Sequence, residues 1–230
     1  MPATLLDRLP QPDPALYPEA PEPLEEAGAA APADAAAAFA FALSRLAARA
    51  DARPIVLVTT GLWLRERGRP FARGITAWGL GPERIVWVRA AKEIEALWAL
   101  EEALKSGAVA GGLVSVERPP FVATRRLEFA ARAGGATGVI LRVGPAADLS
   151  AARRRWRIRA QGSAEHIFDA DAPGRVRLFA ELVRRRDGPP GAWRLEQDDE
   201  TGRLGVVAGL AGHGLEATDR QSRVLASAAA

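Results

Sequence analysis

The stretch Pro54-Ile55-Val56-Leu57-Val58-Thr59-Thr60 is a short and nearly continuous run of apolar residues. A strand that is covered on both faces needs such a run, whereas a strand with one solvent-exposed face alternates between apolar and polar residues. Three similar runs follow at residues 84–88, 109–116 and 138–143, and helical patterns lie between or before them at 34–50, 93–105 and 122–133. This order predicts an α/β fold with a mostly parallel central sheet and helices on both faces.

Residues 93–105 carry the clearest helical pattern. Ile94, Leu97 and Trp98 follow the helical period, so this tryptophan is expected in the core. Trp87 and Trp156 occupy apolar positions of predicted strands, and core packing is expected for them as well. The connection 61–81 holds Trp63 and Trp78, for which a packed connecting helix and a partly exposed aromatic anchor are the two readings.

The pattern changes after residue 150. In Arg155-Trp156-Arg157-Ile158-Arg159-Ala160 the arginines alternate with apolar residues, which is the period of a strand with one buried and one cationic face. Further strands are predicted at residues 175–185, 193–197 and 203–208, with turns at 187–191 and 199–202 between them. They predict antiparallel strands that extend the parallel sheet.

The two ends of the chain differ from this core in composition. Residues 10–32 contain seven prolines among acids and alanines, which predicts an extended segment, because proline denies helices and sheets their hydrogen bonds. We therefore expect an N-terminal arm at 1–33, largely extended or disordered, a core at 34–212 and a flexible C-terminal tail at 213–230. Leu5, Leu6 and Leu9 fit either a frayed terminus or a short docking turn.

Composition excludes several classes of function. The chain has 230 residues and no cysteine, so disulfides, thiol catalysis and cysteine-ligated metals are excluded. His166 and His213 stand far apart without nearby ligands, and no metal site is expected. No apolar stretch has the length of a membrane helix, and no signal peptide is recognisable, so a cytoplasmic protein is expected. A net charge of +3 is too small to indicate nucleic-acid binding alone.

Several ordered stretches resemble a known family. Glu95-Ala96-Leu97-Trp98-Ala99-Leu100-Glu101-Glu102-Ala103-Leu104-Lys105-Ser106-Gly107-Ala108-Val109 looks like the RecA helix that leads into the Walker B strand. Within the RecA-like group, the chain resembles the ImuA family in residues 98–104 and in Gly134-Gly135-Ala136-Thr137-Gly138, together with Arg125-Arg126-Leu127 and Arg155-Trp156-Arg157. The resemblance covers about residues 34–208. It implies a RecA-like three-layer sandwich and an accessory role in bacterial mutagenic translesion synthesis.

The residues needed for ATP hydrolysis are missing from the matching positions. A phosphate-binding loop needs a Gly-Lys-[Ser/Thr] sequence before a helix, and the two lysines, Lys92 and Lys105, stand elsewhere. The resemblance implies a degenerate nucleotide site at Asp34, where phosphate would be repelled, at Thr60 and at Ser115. No cofactor and no enzymatic activity are expected, although weak nucleotide binding stays open. The connections 117–121 and 144–150 are also short for RecA-type DNA-binding loops.

Arginines supply the candidate binding surface. A stripe on one strand can follow a phosphate backbone, meet an acidic protein patch, or be an ordinary solvated face or protected edge. The candidates lie on the strand at 155–160 and its approach and at the following hairpin: Arg153, Arg154, Arg155, Arg157, Arg159, Arg184, Arg185 and Arg186.

The resemblance implies an adaptor without chemistry of its own. Its expected partners are an ImuB-type Y-family polymerase homologue, an error-prone C-family polymerase in the same assembly and RecA, with self-assembly and DNA contact left open. One alternative is a SulA-like division inhibitor that binds FtsZ. The other is a RecA-type DNA-binding protein, which a magnesium-dependent ATPase assay would distinguish.

Overall fold

The computed structural model of the chain describes residues 16–49, 51–143, 149–169 and 171–207. Four features of the sequence lie outside these residues: the docking turn at Leu5, Leu6 and Leu9, most of the connection 144–150, His213, and the tail at 213–230.

Nine strands of the described residues form one sheet. In chain order they are β1 (Leu24–Ala29), β2 (Ile55–Thr60), β3 (Ile85–Ala90), β4 (Gly111–Ser115), β5 (Thr137–Val143), β6 (Arg154–Ala160), β7 (Arg177–Arg185), β8 (Gly191–Gln197) and β9 (Leu204–Val206). Their order across the sheet is β3-β2-β4-β5-β1-β6-β7-β8-β9. The strands from β3 to β6 pair in parallel, and β7, β8 and β9 add antiparallel pairs. The predicted fold class is confirmed.

Five helices connect the strands in the described part of the chain. They are α1 (Ala35–Ala47), α2 (Gly61–Arg67), α3 (Ala72–Thr76), α4 (Glu93–Lys105) and α5 (Phe121–Ala133). Single-turn 3₁₀ segments precede α1 and β3, at Pro32–Asp34 and Pro82–Arg84. Helix α4 ends just before Gly107, whose φ of 71° is a left-handed conformation that glycine adopts without steric cost.

The helices cover the sheet from both sides. Helix α1 packs Phe41, Leu43 and Leu46 against one face, where Trp156 of β6 and Trp193 of β8 also lie. Helices α4 and α5 cover the opposite face of the parallel strands. Their buried side chains on this face include Leu97, Leu100, Leu104, Leu127 and Ala131. Strands β2, β4 and β5 are thus buried on both faces, which explains their apolar runs.

Strand β1 corrects the expected domain boundary. Residues 1–33 were expected to form an arm outside the core, but Leu24–Ala29 form a strand between β5 and β6, with every residue buried. Its sequence, Leu-Glu-Glu-Ala-Gly-Ala, does not show the apolar run of a buried strand. The acids Glu25 and Glu26 are accepted there because arginines from distant segments pair with them. The core therefore begins before residue 34.

The tryptophans divide between core and surface. Trp156 is buried and Trp87 is half-buried, but Trp98 is 60% exposed, so its predicted burial is wrong. The apolar stripe of α4 is wider than the face that the sheet covers, and Trp98 lies on the uncovered part. Trp78 is buried and Trp63 is half-buried, which favours the packed reading of this connection, built from two short helices. None of the described helices has the length and apolar character that crossing a bilayer requires.

Candidate functional site

Burial divides the arginines at 153–159 into three groups. Arg154 and Arg155 are buried, Arg153 and Arg159 are half-buried, and Arg157 is exposed. Arg155 was expected on one cationic face with Arg157 and Arg159, as part of a binding surface, but it is buried. The reason is the adjacent strand, because β1 places Glu26 opposite Arg155 in the parallel register.

Glu25 is the centre of a buried ion-pair network on the α1 side of the sheet. Its two carboxylate oxygens accept hydrogen bonds from Arg45 Nη2 at 2.8 Å and Nε at 2.9 Å. Trp156 Nε1 donates to the same carboxylate at 3.0 Å, and Arg154 Nη1 lies 3.4 Å from it. A carboxylate without contact to water needs such partners, because an unpaired buried charge is strongly destabilising.

Arg45 also ties the segment before β1 to the core. Its guanidinium donates to the backbone carbonyls of Pro18 and Glu19 at 2.9 Å and of Ala20 at 3.1 Å. These bonds use the donors that Glu25 leaves free, so the segment is fixed by a fully engaged, buried cation.

Glu26 forms the matching network on the opposite face of β1. Its Oε1 accepts from Arg142 Nη1 at 2.9 Å and from Arg155 Nη2 at 3.0 Å. Arg142 Nε donates onward to the carbonyl of Glu117 at 2.8 Å, which links β1, β5 and the connection after β4. Neighbouring residues of a strand point to opposite faces, so the Glu25-Glu26 pair places one carboxylate on each side of the sheet.

The ion pairs shift the ionisation of several groups. Burial alone would lower the pKa of Arg45, but the neighbouring Glu25 outweighs burial and raises that pKa above its usual value. Burial raises the pKa of the Tyr17 hydroxyl beside it. Burial would also raise the pKa of Asp187, but hydrogen bonds from Arg154 and Arg185 lower it to about 2. The buried arginines thus act as fixed structural charges.

The remaining candidate arginines form the accessible cationic surface. Arg157, Arg184 and Arg186 are exposed, and Arg159 is half-buried. Arg157 lies 3.4 Å from Glu181 in a surface pair, a geometry that contributes little to stability. Arg153 and Arg185 are tied to Glu22 and Asp187, at 2.7 Å and 3.1 Å. Only part of the predicted surface therefore remains available to a partner.

The carboxyl ends of the parallel strands form a second candidate site. A cavity of about 380 Å³ opens between the loop before α1, helix α2 and the end of β5. It is lined mainly by apolar side chains, with one acid and two arginines: Pro32, Ala33, Ala35, Ala36, Phe39, Trp63, Glu66, Arg67, Arg69, Pro70, Leu141 and Val143. Ligand sites of open α/β sheets occupy this position, beyond the carboxyl edge of the strands.

The structure brings Asp34, Thr60 and Ser115, the residues of the expected degenerate nucleotide site, to this edge of the sheet. Thr60 and Ser115 line a small crevice that adjoins the cavity and shares Trp63 with it. Asp34 stands at the start of α1 but does not cap the helix with its side chain. Its carboxylate instead accepts from the backbone amides of Ala31 at 3.0 Å and Ala160 at 2.9 Å.

These residues do not fit a magnesium–nucleotide. The loop from Ala30 to Asp34 has the position of a phosphate loop, between β1 and α1, but Pro32 offers no amide and no lysine is present in it. Asp34 adds a negative charge where phosphate oxygens would lie. Among the described residues, no cluster of three or more acids and histidines could hold a metal ion. The cavity walls favour apolar and aromatic groups instead.

Sequence reasoning missed the acids and the cavity. Glu25, Glu26 and Arg45 are separated from most of their partners by about 20 to 130 residues, so local periodicity carries no sign of them. The signal that could have found Glu25 and Glu26 is the excess of arginine over lysine near strand ends, since arginine is preferred for buried ion pairs. Phe39 and Trp63, whose ring centroids lie 6.0 Å apart, meet only through the fold.

The chain is similar to proteins named Protein ImuA. Two such relatives, from the Caulobacter vibrioides strains NA1000 / CB15N and ATCC 19089 / CIP 103742 / CB 15, are each 35% identical over 176 residues. The match covers 70% of this chain and 71% of each relative. A scan against models of protein families finds no match.

SulA proteins share part of the chain. Cell division inhibitor SulA from Edwardsiella piscicida is 34% identical over 85 residues, which is 35% of this chain and 48% of that protein. A crystal structure of SulA from Pseudomonas aeruginosa superposes with a TM-score of 0.42 at 28% identity, covering 54% of this chain and all of that one.

Proposed function

The chain belongs to the ImuA family, and from that premise we propose that it is a non-catalytic accessory protein of DNA-damage-induced mutagenic translesion synthesis. The observation that carries the proposal is the 35% identity over 71% of the ImuA proteins from Caulobacter vibrioides. The partial likeness to SulA supports a DNA-damage-related role as well. In this proposal the protein binds an ImuB-type Y-family polymerase homologue, and an error-prone C-family polymerase and RecA contact the same assembly.

The chemistry of the carboxyl edge supports a role without catalysis. Phosphoryl transfer needs a cation-rich phosphate cradle and a magnesium site. The corresponding loop contains Pro32 and Asp34, and the cavity beside it is walled by Phe39 and Trp63. Binding energy at such a surface comes from apolar burial and shape, which suits attachment of another protein.

The accessible arginines are the proposed contact surface for the polymerase-like partner. Arg157, Arg184 and Arg186 are the exposed members of the predicted set. Arg155 is excluded as a test position, because a glutamate there would face Glu26 in the core and unfold the protein. Exposed arginines tolerate charge reversal with little effect on stability, so their variants report on binding.

The test is co-purification with the ImuB-type protein, followed by size exclusion with light scattering, with and without ATP and single-stranded DNA. We expect a defined complex that needs neither ATP nor DNA. The triple variant Arg157→Glu, Arg184→Glu and Arg186→Glu should lose it, whereas reversal of Arg125 and Arg132 on the exposed side of α5 is the matched control.

Each of three results would contradict a part of the proposal. Absence of any complex with the ImuB-type protein would refute the adaptor role. An intact complex in the triple variant would leave the partner in place but remove the arginine surface from its interface. A change in elution volume caused by single-stranded DNA without the ImuB-type protein, and lost in the triple variant, would assign the arginines to phosphate contacts. The affinity for DNA would then fall steeply with increasing salt.

A second candidate function follows from the SulA match over 85 residues. In it the chain inhibits cell division by binding FtsZ. Overexpression in cells without DNA damage would then produce filaments, and normal cell length at matched expression would exclude this role.

A further inference from the structure

The connection between β6 and β7 carries two unusually exposed apolar side chains. Ile167 is 76% exposed and Phe168 is 87% exposed, which are the highest values among the large apolar residues of the described part of the chain. Acids surround them, at Glu165, Asp169 and Asp171. A neighbouring pair of exposed apolar side chains on a protruding loop is a common anchor of protein interfaces.

The loop is built as a defined projection. The backbone amide of Ala164 donates to the carbonyl of Arg175 at 2.8 Å, and that of Gly174 donates to the carbonyl of Ala164 at 3.1 Å. Phe168 lies 6.0 Å from the ring of His166, so its only ring contact in the described structure is on the loop itself. These contacts fix the base of the loop and leave its apolar tip in water.

The cavity at the carboxyl edge is complementary to this tip. Its volume of about 380 Å³ and its walls of Phe39, Trp63, Leu141 and Val143 can take up large apolar side chains. The indole Nε1 of Trp63 is buried and has no hydrogen-bond partner. The charged side chains of the cavity are Arg67 and Arg69 against Glu66, so its rim carries a net positive charge, whereas the loop is acidic.

The loop and the cavity lie on the same edge of the molecule. Strands β1 and β6 are parallel, so the segment before α1 and the segment after β6 leave the sheet side by side. The hydrogen bond from the amide of Ala160 to Asp34 joins the two segments. A two-fold axis beside this edge brings each loop to the cavity of the other copy, which is the reciprocal contact of an isologous dimer.

We propose that two copies of this chain form a two-fold dimer in which Ile167 and Phe168 of each copy enter the cavity of the other. Acids of the loop, Asp169 among them, then face the arginines of the cavity rim, including Arg67. The contact buries the exposed tip and the open cavity at the same time. This inference does not depend on the proposed function, because it follows from the two surfaces alone.

The first experiment is analytical ultracentrifugation of the full chain over about 1 to 100 µM, the range in which a reversible dimer of moderate affinity dissociates. The wild type should change from monomer to dimer. Phe168→Ser removes the anchor and Ala36→Phe fills the cavity, and each should raise the dissociation constant about tenfold or more. Phe129→Ser, at a 58% exposed position of α5, is the matched control and should dimerise normally. Circular dichroism melting checks that each variant is folded.

Mixing the variants tests the reciprocal geometry. Phe168→Ser keeps an intact cavity and Ala36→Phe keeps an intact loop, so an equimolar mixture restores one of the two contacts and should associate more tightly than either variant alone. Asp169→Arg and Arg67→Asp should each weaken the dimer, and their combination in one chain should recover it.

Several outcomes would overturn the inference. These are a wild type that stays monomeric throughout, a dimer that is indifferent to both Phe168→Ser and Ala36→Phe, and a mixture that associates no better than its components. Loss of the ImuB-type partner in Phe168→Ser, with the oligomeric state unchanged, would assign the loop to that partner instead. An adaptor complex that persists in monomeric variants would leave the proposed function standing, so the two can fail separately.

Discussion

Replacing Arg45 by methionine removes a buried cation while keeping much of the volume of its side chain. Glu25 would lose two charge-assisted hydrogen bonds, of 2.8 and 2.9 Å, each worth roughly 1.5–3 kcal/mol. The carboxylate keeps Trp156 and the longer contact with Arg154, which limits the damage. Breaking a buried pair from one side costs about 3–5 kcal/mol, and we expect Arg45→Met to lower the free energy of unfolding by this amount. A domain of this kind has a total of about 5–15 kcal/mol.

Urea denaturation followed by tryptophan fluorescence measures this loss, and a double-mutant cycle isolates the pair. Glu25→Met leaves Arg45 buried without its acid, whereas the double variant leaves neither charge behind. The double variant should therefore be more stable than the sum of the single losses predicts, by about 2 kcal/mol or more. Arg126→Met, which removes an exposed pair with Glu101, is the control and should cost about 0–1 kcal/mol. A loss below about 1 kcal/mol for Arg45→Met, or additivity within about 0.5 kcal/mol, would refute the reasoning.

Three further predictions concern packing and pH. Gly134→Ala should lower the free energy of unfolding in urea by roughly 1–3 kcal/mol, because the new Cβ would collide with the backbone carbonyl of Leu104 in α4. Gly162→Ala, with open space around the new Cβ, should change this free energy by less than about 0.5 kcal/mol. Trp156→Ala should cost about 3–5 kcal/mol and Trp98→Ala less than about 1 kcal/mol, and equal losses would contradict the assigned burial. The folded-state pKa of Asp187, about 2, lies below its ordinary 3.8, so its contribution to stability is complete above about pH 4 and falls as the pH drops toward 2. Asp187→Asn should remove this part of the pH dependence, and an unchanged slope of unfolding free energy against pH would count against the ion pairs of that carboxylate.

The parallel strands other than β1 could be predicted because consecutive apolar residues in the sequence indicate their burial. The run from Ile55 to Thr60 needs no distant partner to be recognised as buried on both faces, and it forms β2 with these bounds. Strand β1 could not be found in the same way, since Glu25 and Glu26 appear locally as surface residues. The burial of Glu26 depends on Arg142 of β5 and Arg155 of β6, and that of Glu25 depends on Arg45 of α1 and Arg154 of β6. The fold brings these arginines to β1 from distant parts of the chain.

The candidate site was predictable only in part for the same reason. The alternation around Trp156 correctly indicated a strand with one apolar face, but it could not show that the other face begins with Arg155 inside a charge network. The resemblance implied that Thr60 and Ser115 belong to one degenerate nucleotide site, and the two residues line one crevice. The apolar cavity next to them depends on Phe39 and Trp63 from two different helices, and no spacing in the sequence relates these residues.

The place of β1 in the chain has a consequence during synthesis. This strand is made early, yet both of its neighbours, β5 and β6, are completed more than 100 residues later. At typical rates of translation the ribosome needs roughly 5 to 25 s to add them. An apolar strand waiting that long would be free to pair with other nascent chains. Glu26 keeps this segment charged and hydrated, because its partners Arg142 and Arg155 belong to β5 and β6, whereas Arg45, the partner of Glu25, is made soon after β1. A charge that is paired in the finished sheet thus disfavours pairing of the isolated central strand with other chains until its own neighbours are complete.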